Sequence, residues 1–301
     1  MHYPSVIATS GFLAMVSGHG LVTSIQGANG VTMPGLSVAD GTPRDCSSNG
    51  CGSQADTSII RDRELGTNKA SALGRTEGNG PVDASAMIAN FMDGAAAPTN
   101  KGAASSSGVE DDLSGLQGAT SNKRGVFGDF LSSIAGGGGK GTKSEQAVEK
   151  SVAASAGQGA TSGLPTCSDD GSITMTFRQI NQDGAGPLKA EVDGTSGGTD
   201  PDAFETAEVT QDVPGLAIGG LSLATNTDFP VTVQMPASMT CEATVGGVDN
   251  VCIVRVRNRA LAGPFGGSAA FTQSPVARKR AIAYRLKKRA EEGQYQNRRL
   301  R

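Results

Sequence analysis

Ile173-Thr174-Met175-Thr176-Phe177 and Val231-Thr232-Val233-Gln234-Met235 alternate apolar and polar residues without a break. Successive side chains of an extended strand point to opposite faces, so a period of two predicts one buried and one solvated face. Val251-Cys252-Ile253-Val254-Arg255-Val256 and Ala270-Phe271 add strand candidates in the same stretch. Asp183-Gly184, Asp193-Gly194 and Gly219-Gly220 fall between them as turn signals. Short strands, regular turns and few helical runs predict a mainly β chain, an antiparallel β-sandwich of the immunoglobulin or fibronectin kind.

Toward the N-terminus, Leu21-Val22-Thr23-Ser24-Ile25 and Leu36-Ser37-Val38 are short apolar-alternating runs broken by Gly and Asn-Gly turns, and belong to the same expected sandwich. Asp83 is placed to cap a helix in which Met87, Ile88, Phe91 and Met92 share one face. From residue 94 to 163 Gly, Ala, Ser and Thr dominate, with a tetraglycine at Gly136 to Gly139 that no packed element favours. Two islands interrupt this region: Val126, Phe127, Phe130, Leu131 and Ile134 at helical spacing, and a capping box from Thr142 to Glu145 ahead of a helix to about Ala156. The expected organisation is a leader at 1–18, sandwich segments at 19–93 and 164–275, a flexible, partly helical insertion at 94–163, and a basic tail at 276–301.

The leader reading rests on an apolar run from Val6 to Val16, with Val16 and Gly18 small enough to precede a cleavage after Gly18. The run is too short to span a bilayer and nothing downstream is long and apolar enough, so a secreted protein without a transmembrane segment is expected. Five cysteines suit an oxidising compartment, and the odd number leaves one unpaired or joined to another chain. Cys241 and Cys252 flank a candidate hairpin turned by Gly246-Gly247 and are the expected disulfide; among Cys46, Cys51 and Cys167 the spacing does not choose. With 43 glycines, 4% aromatic residues and no tryptophan, much of the chain is expected to lie outside a dense core.

A net charge of −3 hides an asymmetry: residues 278–301 hold ten Lys/Arg and two Glu, leaving 16 basic and 27 acidic groups in the rest. Secretion and the acidic body argue against a nucleic-acid partner. The basic clusters are read as a solvated, disordered or marginally helical tail, as a contact for anionic surfaces, or as dibasic processing sites.

Three longer strings carry a resemblance. Asn181 to Pro187 with Asp193 to Phe204, Asp45 to Ile60, and Gly263-Pro264-Phe265-Gly266-Gly267 resemble the fungal appressorium-associated virulence factors of Egh type. The resemblance covers most of residues 19 to 275 and part of the basic tail, and implies a secreted or cell-wall protein of host penetration, with fungal or host wall polysaccharide as the expected partner. A His19-Gly20 start of the mature chain is also similar to that of fungal lytic polysaccharide monooxygenases and their copper-binding relatives, and implies copper at His19. A terminal amine and imidazole form a good bidentate ligand for Cu(II). The second imidazole of those proteins has no counterpart, because His2 and His19 are the only histidines. Completion would fall to carboxylates such as Asp56, Asp62, Glu64 or Asp183, and no axial tyrosine can be placed, since Tyr3 lies in the leader and Tyr284 and Tyr295 in the tail.

A Ser-His-Asp or Cys-His arrangement would have to use His19, and no carboxylate pair stands out for glycoside hydrolysis. Asp193, Asp200 and Asp202 do not match a calcium loop and are read as turn residues. The reading therefore favours a secreted protein that acts by binding, with a copper module at His19 and a carbohydrate-active enzyme as the alternatives.

Overall fold

Strands form where the alternation is cleanest, and also where it is hard to see. The computed structural model describes residues 19–299 apart from 97, 101–140, 144–145, 183, 216–221, 223 and 261–262. In chain order the first strands are β1 (Gly20–Gln26), β2 (Thr32–Pro34), β3 (Ser58–Ile59), β4 (Arg75–Thr76), β5 (Gly80–Pro81) and β6 (Thr142–Lys143). β7 (Ser172–Gln179), β8 (Lys189–Asp193), β9 (Phe204–Gln211), β10 (Thr227–Gln234), β11 (Ala243–Val245), β12 (Val248–Arg257) and β13 (Phe265–Thr272) follow. The helices are α1 (Ala84–Asp93), α2 (Ser151–Ser155), α3 (Gly159–Ser162) and α4 (Pro275–Arg299).

The ladders joining these strands are antiparallel, in the order β2-β1-β7-β10-β9-β8-β12-β13-β3-β4-β5, with β6 on β10 and β11 on β12. Register places like with like: Phe177 faces Phe229, Met175 faces Val231 and Ile173 faces Val233 across β7 and β10. Val254 faces Val192, and Val256 faces Ala190, across β12 and β8. Such cross-strand apolar pairs are the unit from which a sheet gains stability. All these side chains join one core, with Leu21, Val22 and Ile25 of β1 and Phe271 of β13.

The path curls. β1 crosses β13 so closely that a methyl on Gly267 would sit 2.6 Å from the Val22 nitrogen, and one on Gly35 would sit 2.0 Å from the Val22 carbonyl oxygen. A β-bulge between Val22 and Ser24 bends β1 at this crossing. The architecture is therefore mainly antiparallel β, as one curled half-barrel sheet. The finer expectation, two separate sheets of the immunoglobulin kind, is not carried by this continuous strand order.

α1 starts where Asp83 accepts hydrogen bonds from the Ser85 and Ala86 amides, and it ends at Gly94 with φ of 70°. Its Met87, Ile88 and Phe91 are wholly buried, while Met92 is partly exposed. Three sequence expectations change. Leu36-Ser37-Val38 forms a turn, with the Val38 amide donating to the Gly35 carbonyl. Thr142 lies in β6, opposite Asp228 of β10, so the helix begins only at Ser151. That start is capped from a distance, because the Asp40 carboxylate accepts from the Val152 and Ala153 amides. The basic tail is a continuous helix, α4. The leader, the 126–134 island, Glu145 and the Gly219-Gly220 turn lie outside the described residues.

The end of the glycine-rich region is stitched to the N-terminal part of the body. Arg44, its side chain fully buried, donates two hydrogen bonds to Asp56 and a third to Glu149 at 2.9 Å. Glu149 also accepts from the Lys150 and Ser151 amides. Burial alone would raise the Glu149 carboxyl, but the Arg44 charge and hydrogen bonds from Ser151 hold it below the ordinary 4.5. A carboxyl lowered by folding stabilises fully above about pH 4.5, and that contribution is lost as pH falls through the lower folded value. Removing one partner of a buried pair leaves an uncompensated charge, at a cost of about 3–5 kcal/mol. Asp56→Asn is accordingly expected to lose about 3 kcal/mol in urea unfolding at pH 7. Glu149→Gln should be destabilised at pH 7 and lose less stability than the parent between pH 5 and pH 3, which urea titrations across that range will measure.

Candidate functional site

His19 stands immediately before β1 and is 1% exposed. Its amide nitrogen donates to Asn181 Oδ1 at 2.7 Å, and its Nδ1 lies 3.3 Å from Asn181 Nδ2. Its carbonyl accepts from the Ile180 amide, and its ring packs on Phe265 with centroids 4.2 Å apart. Gly184 approaches so closely that a methyl there would stand 1.9 Å from the His19 oxygen. Two of the recognisable strings, 181–187 and 263–267, thus meet at this one histidine.

The carboxylates proposed to complete a metal site are engaged elsewhere. Asp56 is held by Arg44 and the Ala39 amide, Asp62 by Arg257, and Glu64 by Arg61 and Arg75. Asp183 lies outside the described residues. Asp193 directs its carboxylate at the amides of Thr195, Ser196 and Gly198, and Asp200 caps a short 3-10 turn at Asp202. Among the described residues no three His, Cys, Asp or Glu side chains are grouped to hold a metal ion.

Cys241 and Cys252 are disulfide-bonded across a hairpin whose Gly246 and Gly247 have φ of 56° and 81°. Both positive angles match the two-residue turn that follows strand twist, and glycine adopts them without steric cost. Cys46 and Cys51 form a second disulfide, and Cys167 is a buried free thiol pushed up by desolvation.

A charged strip across β8 and β12 lies in none of the strings read from the sequence as chemistry. Strand alternation sends Ala190 and Val192 into the core and turns Lys189 and Glu191 to the other face, beside Arg257 and Arg255. Arg255 lies 4.1 Å over the Phe204 ring and donates to the Ala72 carbonyl and to Glu191. Arg257 donates to the Ile60 carbonyl and to Asp62. The loop between β3 and β4 therefore roofs part of this face. Beside it opens a cavity of about 370 Å³, walled by Lys189, Glu191, Thr206, Asp212 and Arg257 with Leu188 and Val209. Burial pushes the Asp212 carboxyl up, and hydrogen bonds from the Leu188 and Val213 amides oppose that rise. The site offers hydrogen-bonding groups of both signs around a polar groove, with Glu191 held by Arg255 and Arg257 by Asp62.

Residues 17–266 match the model of the Egh16-like virulence factors. The chain belongs to this family. It is 56% identical over 290 residues to the appressoria-specific virulence factor GAS2 of Pyricularia oryzae strain 70-15, across 96% of this chain and 95% of that protein. The appressoria-specific virulence factor GAS1 of the same fungus is 37% identical over 154 residues, half of this chain and 58% of that one. No solved structure matches the chain.

The Egh16-like match takes in His19, its Asn181 and Phe265 partners, and the whole Glu191–Arg255–Arg257 strip, and it stops inside β13 before α4. The strip escaped notice because an arginine in an apolar strand reads as a solvated position. The usable signal is the i, i+2 repeat of Arg255 and Arg257, which puts two cations on one face. Glu191→Ala would leave Arg255, 2% exposed, without its carboxylate. We expect it to lose about 3 kcal/mol in urea unfolding, and Lys189→Ala to stay within about 0.5 kcal/mol of the parent.

Proposed function

We propose that this is a secreted protein of fungal host penetration that acts by binding wall polysaccharide in the groove beside β8. The observation that carries the biological setting is the 56% identity, over nearly the full length of both chains, to a protein named as an appressoria-specific virulence factor. Binding rather than turnover is favoured by the state of the polar groups. Glu191 is committed to Arg255, and Asp212 accepts from two backbone amides, so neither is presented as a free acid or base. A groove in which Glu191 and Arg257 are paired, with further hydrogen-bonding groups along its edges, suits a neutral hydroxylated chain, which needs directional contacts.

Copper at His19 is the rival reading, and the residues do not fit it. The two nitrogens of a terminal chelate both lie against the Asn181 amide group, and the histidine is closed off between that side chain and Phe265. Loading a metal there would require Asn181 to swing away. Secretion rests on the leader reading. Among the described residues, no helix is long and apolar enough to cross a membrane.

The test is a pull-down of the purified secreted chain, its N-terminus fixed by intact mass, with insoluble chitin, β-glucan and cellulose. We expect depletion from solution by at least one polymer, no soluble sugar released, and weaker depletion by about tenfold for a Thr206→Ala/Lys189→Ala pair in the groove wall. Sugar release would sink the binding-only reading, and depletion unchanged by the pair would move the site away from the groove.

A further inference from the structure

We propose that the outer part of α4 is a docking arm for a linear anionic polysaccharide that carries carboxylates, a polyuronate. The inference does not rest on the groove, because it concerns a different face and a ligand of opposite charge character.

α4 divides into an anchored base and a free arm. At the base Ser274 Oγ accepts from the Ala277 amide, and Ala277 and Ala281, four residues apart, are buried on one side. Arg278 donates to the Cys241 carbonyl, Arg280 to the carbonyls of Asp169 and Asp170, and Arg285 to Thr240 Oγ1. These three arginines spend their donors on the body and fix the helix against the disulfide hairpin. The residues between and beyond them do not. Lys279, Lys288 and Arg289 are exposed and form no ion pair with a described residue, and Lys287 reaches Glu291 only at 3.9 Å. From Leu286 to Gly293 every residue is exposed. The helix continues to Arg299, so the arm from Leu286 is about 21 Å long at 1.5 Å per residue.

Charge complementarity defines the partner. The chain from residue 278 onward carries ten cations against two Glu, while the rest of the protein is strongly acidic. A membrane surface calls for an apolar face that can enter it. Among the residues of α4 whose side chains are described, to Gly293, the exposed large apolar ones are Val276, Ile282, Tyr284 and Leu286, and of these Ile282 and Leu286 share a side. Between Lys287 and Gly293 there is no large apolar residue at all. Contact by α4 is therefore electrostatic and lateral. A duplex nucleic acid, with one charge per ~1.7 Å of axis, would repel the acidic body at close range. A polyuronate has one carboxylate per sugar, a lower charge density that cations distributed along and around a helix can follow.

The test compares the full-length chain with a Lys279→Gln/Lys287→Gln/Lys288→Gln/Arg289→Gln variant, which leaves the anchoring arginines in place. Binding is read against polygalacturonate, its methyl ester, phosphatidylserine vesicles and a duplex oligonucleotide. We expect the parent to bind polygalacturonate and not the ester, to release it as salt rises from about 0.05 M to 0.5 M, and to bind at least about tenfold more tightly than the variant. A Lys→Arg replacement at 279, 287 and 288 keeps the charge and should bind like the parent. Equal binding by the glutamine variant, equal binding of the ester, loss of binding in the arginine variant, or tighter binding to vesicles or duplex would overturn the proposal. Depletion by neutral chitin or β-glucan should be the same for parent and glutamine variant, which keeps this result separate from the groove.

Discussion

The buried Arg44 guanidinium is the constraint on which much of this structure depends. It stands where the chain leaves the first strands, and its two carboxylate partners come from Asp56 nearby and from Glu149 far along the chain. A cation removed from water must be fully paired, so the return of the chain at residue 149 is dictated by where Arg44 lies. Backbone bonds repeat the clasp: the Glu149 amide donates to the Thr42 carbonyl, and the Arg44 amide donates to the Ala147 carbonyl. Asp40 then caps α2, and Val152 enters the core. The end of a weakly apolar region is thereby made part of the body.

A second constraint is close approach. β1 can lie across β13 only because Gly267 presents no side chain to Val22, and the His19 carbonyl can meet its loop only because Gly184 has none. Glycine abundance, which suggests looseness when counted, is at these positions a condition for tight packing. The same crossing buries His19 between Asn181 and Phe265. Two of the recognisable strings, 181–187 and 263–267, converge there by packing and hydrogen bonding.

Charge is segregated by role. Arg44, Arg255 and Arg257 are buried and matched to carboxylates, with the Arg44 guanidinium raised by its partners against burial and the Arg255 guanidinium lowered by burial despite Glu191. The cations of α4 are instead held out in solvent by a base of arginines bonded to carbonyl groups. One set closes the body and the other leaves a positive surface on an acidic protein.

The sequence by itself determined the strands with a clean period of two, the Asp83-capped helix, the Gly246-Gly247 hairpin that brings Cys241 to Cys252, and the charge asymmetry, because each follows from contacts a few residues apart. β8 and β9 were not legible: Lys189–Asp193 is short, and Phe204–Gln211 has a single buried residue, so neither has an apolar face strong enough to show a period. The Thr142 capping box misled because pairing with β10 and a cap from Asp40 outweighed the local signal. The helicity of α4 was underestimated because its anchors are carbonyl groups of residues 169, 170 and 241, invisible in the local pattern. Only the tertiary structure decided the curl of the sheet, the burial of His19 under Asn181, the Arg44 clasp and the Glu191–Arg255–Arg257 strip. Each joins residues distant along the chain, and such pairings are set by which buried charges and bare glycine backbones come to face one another in space.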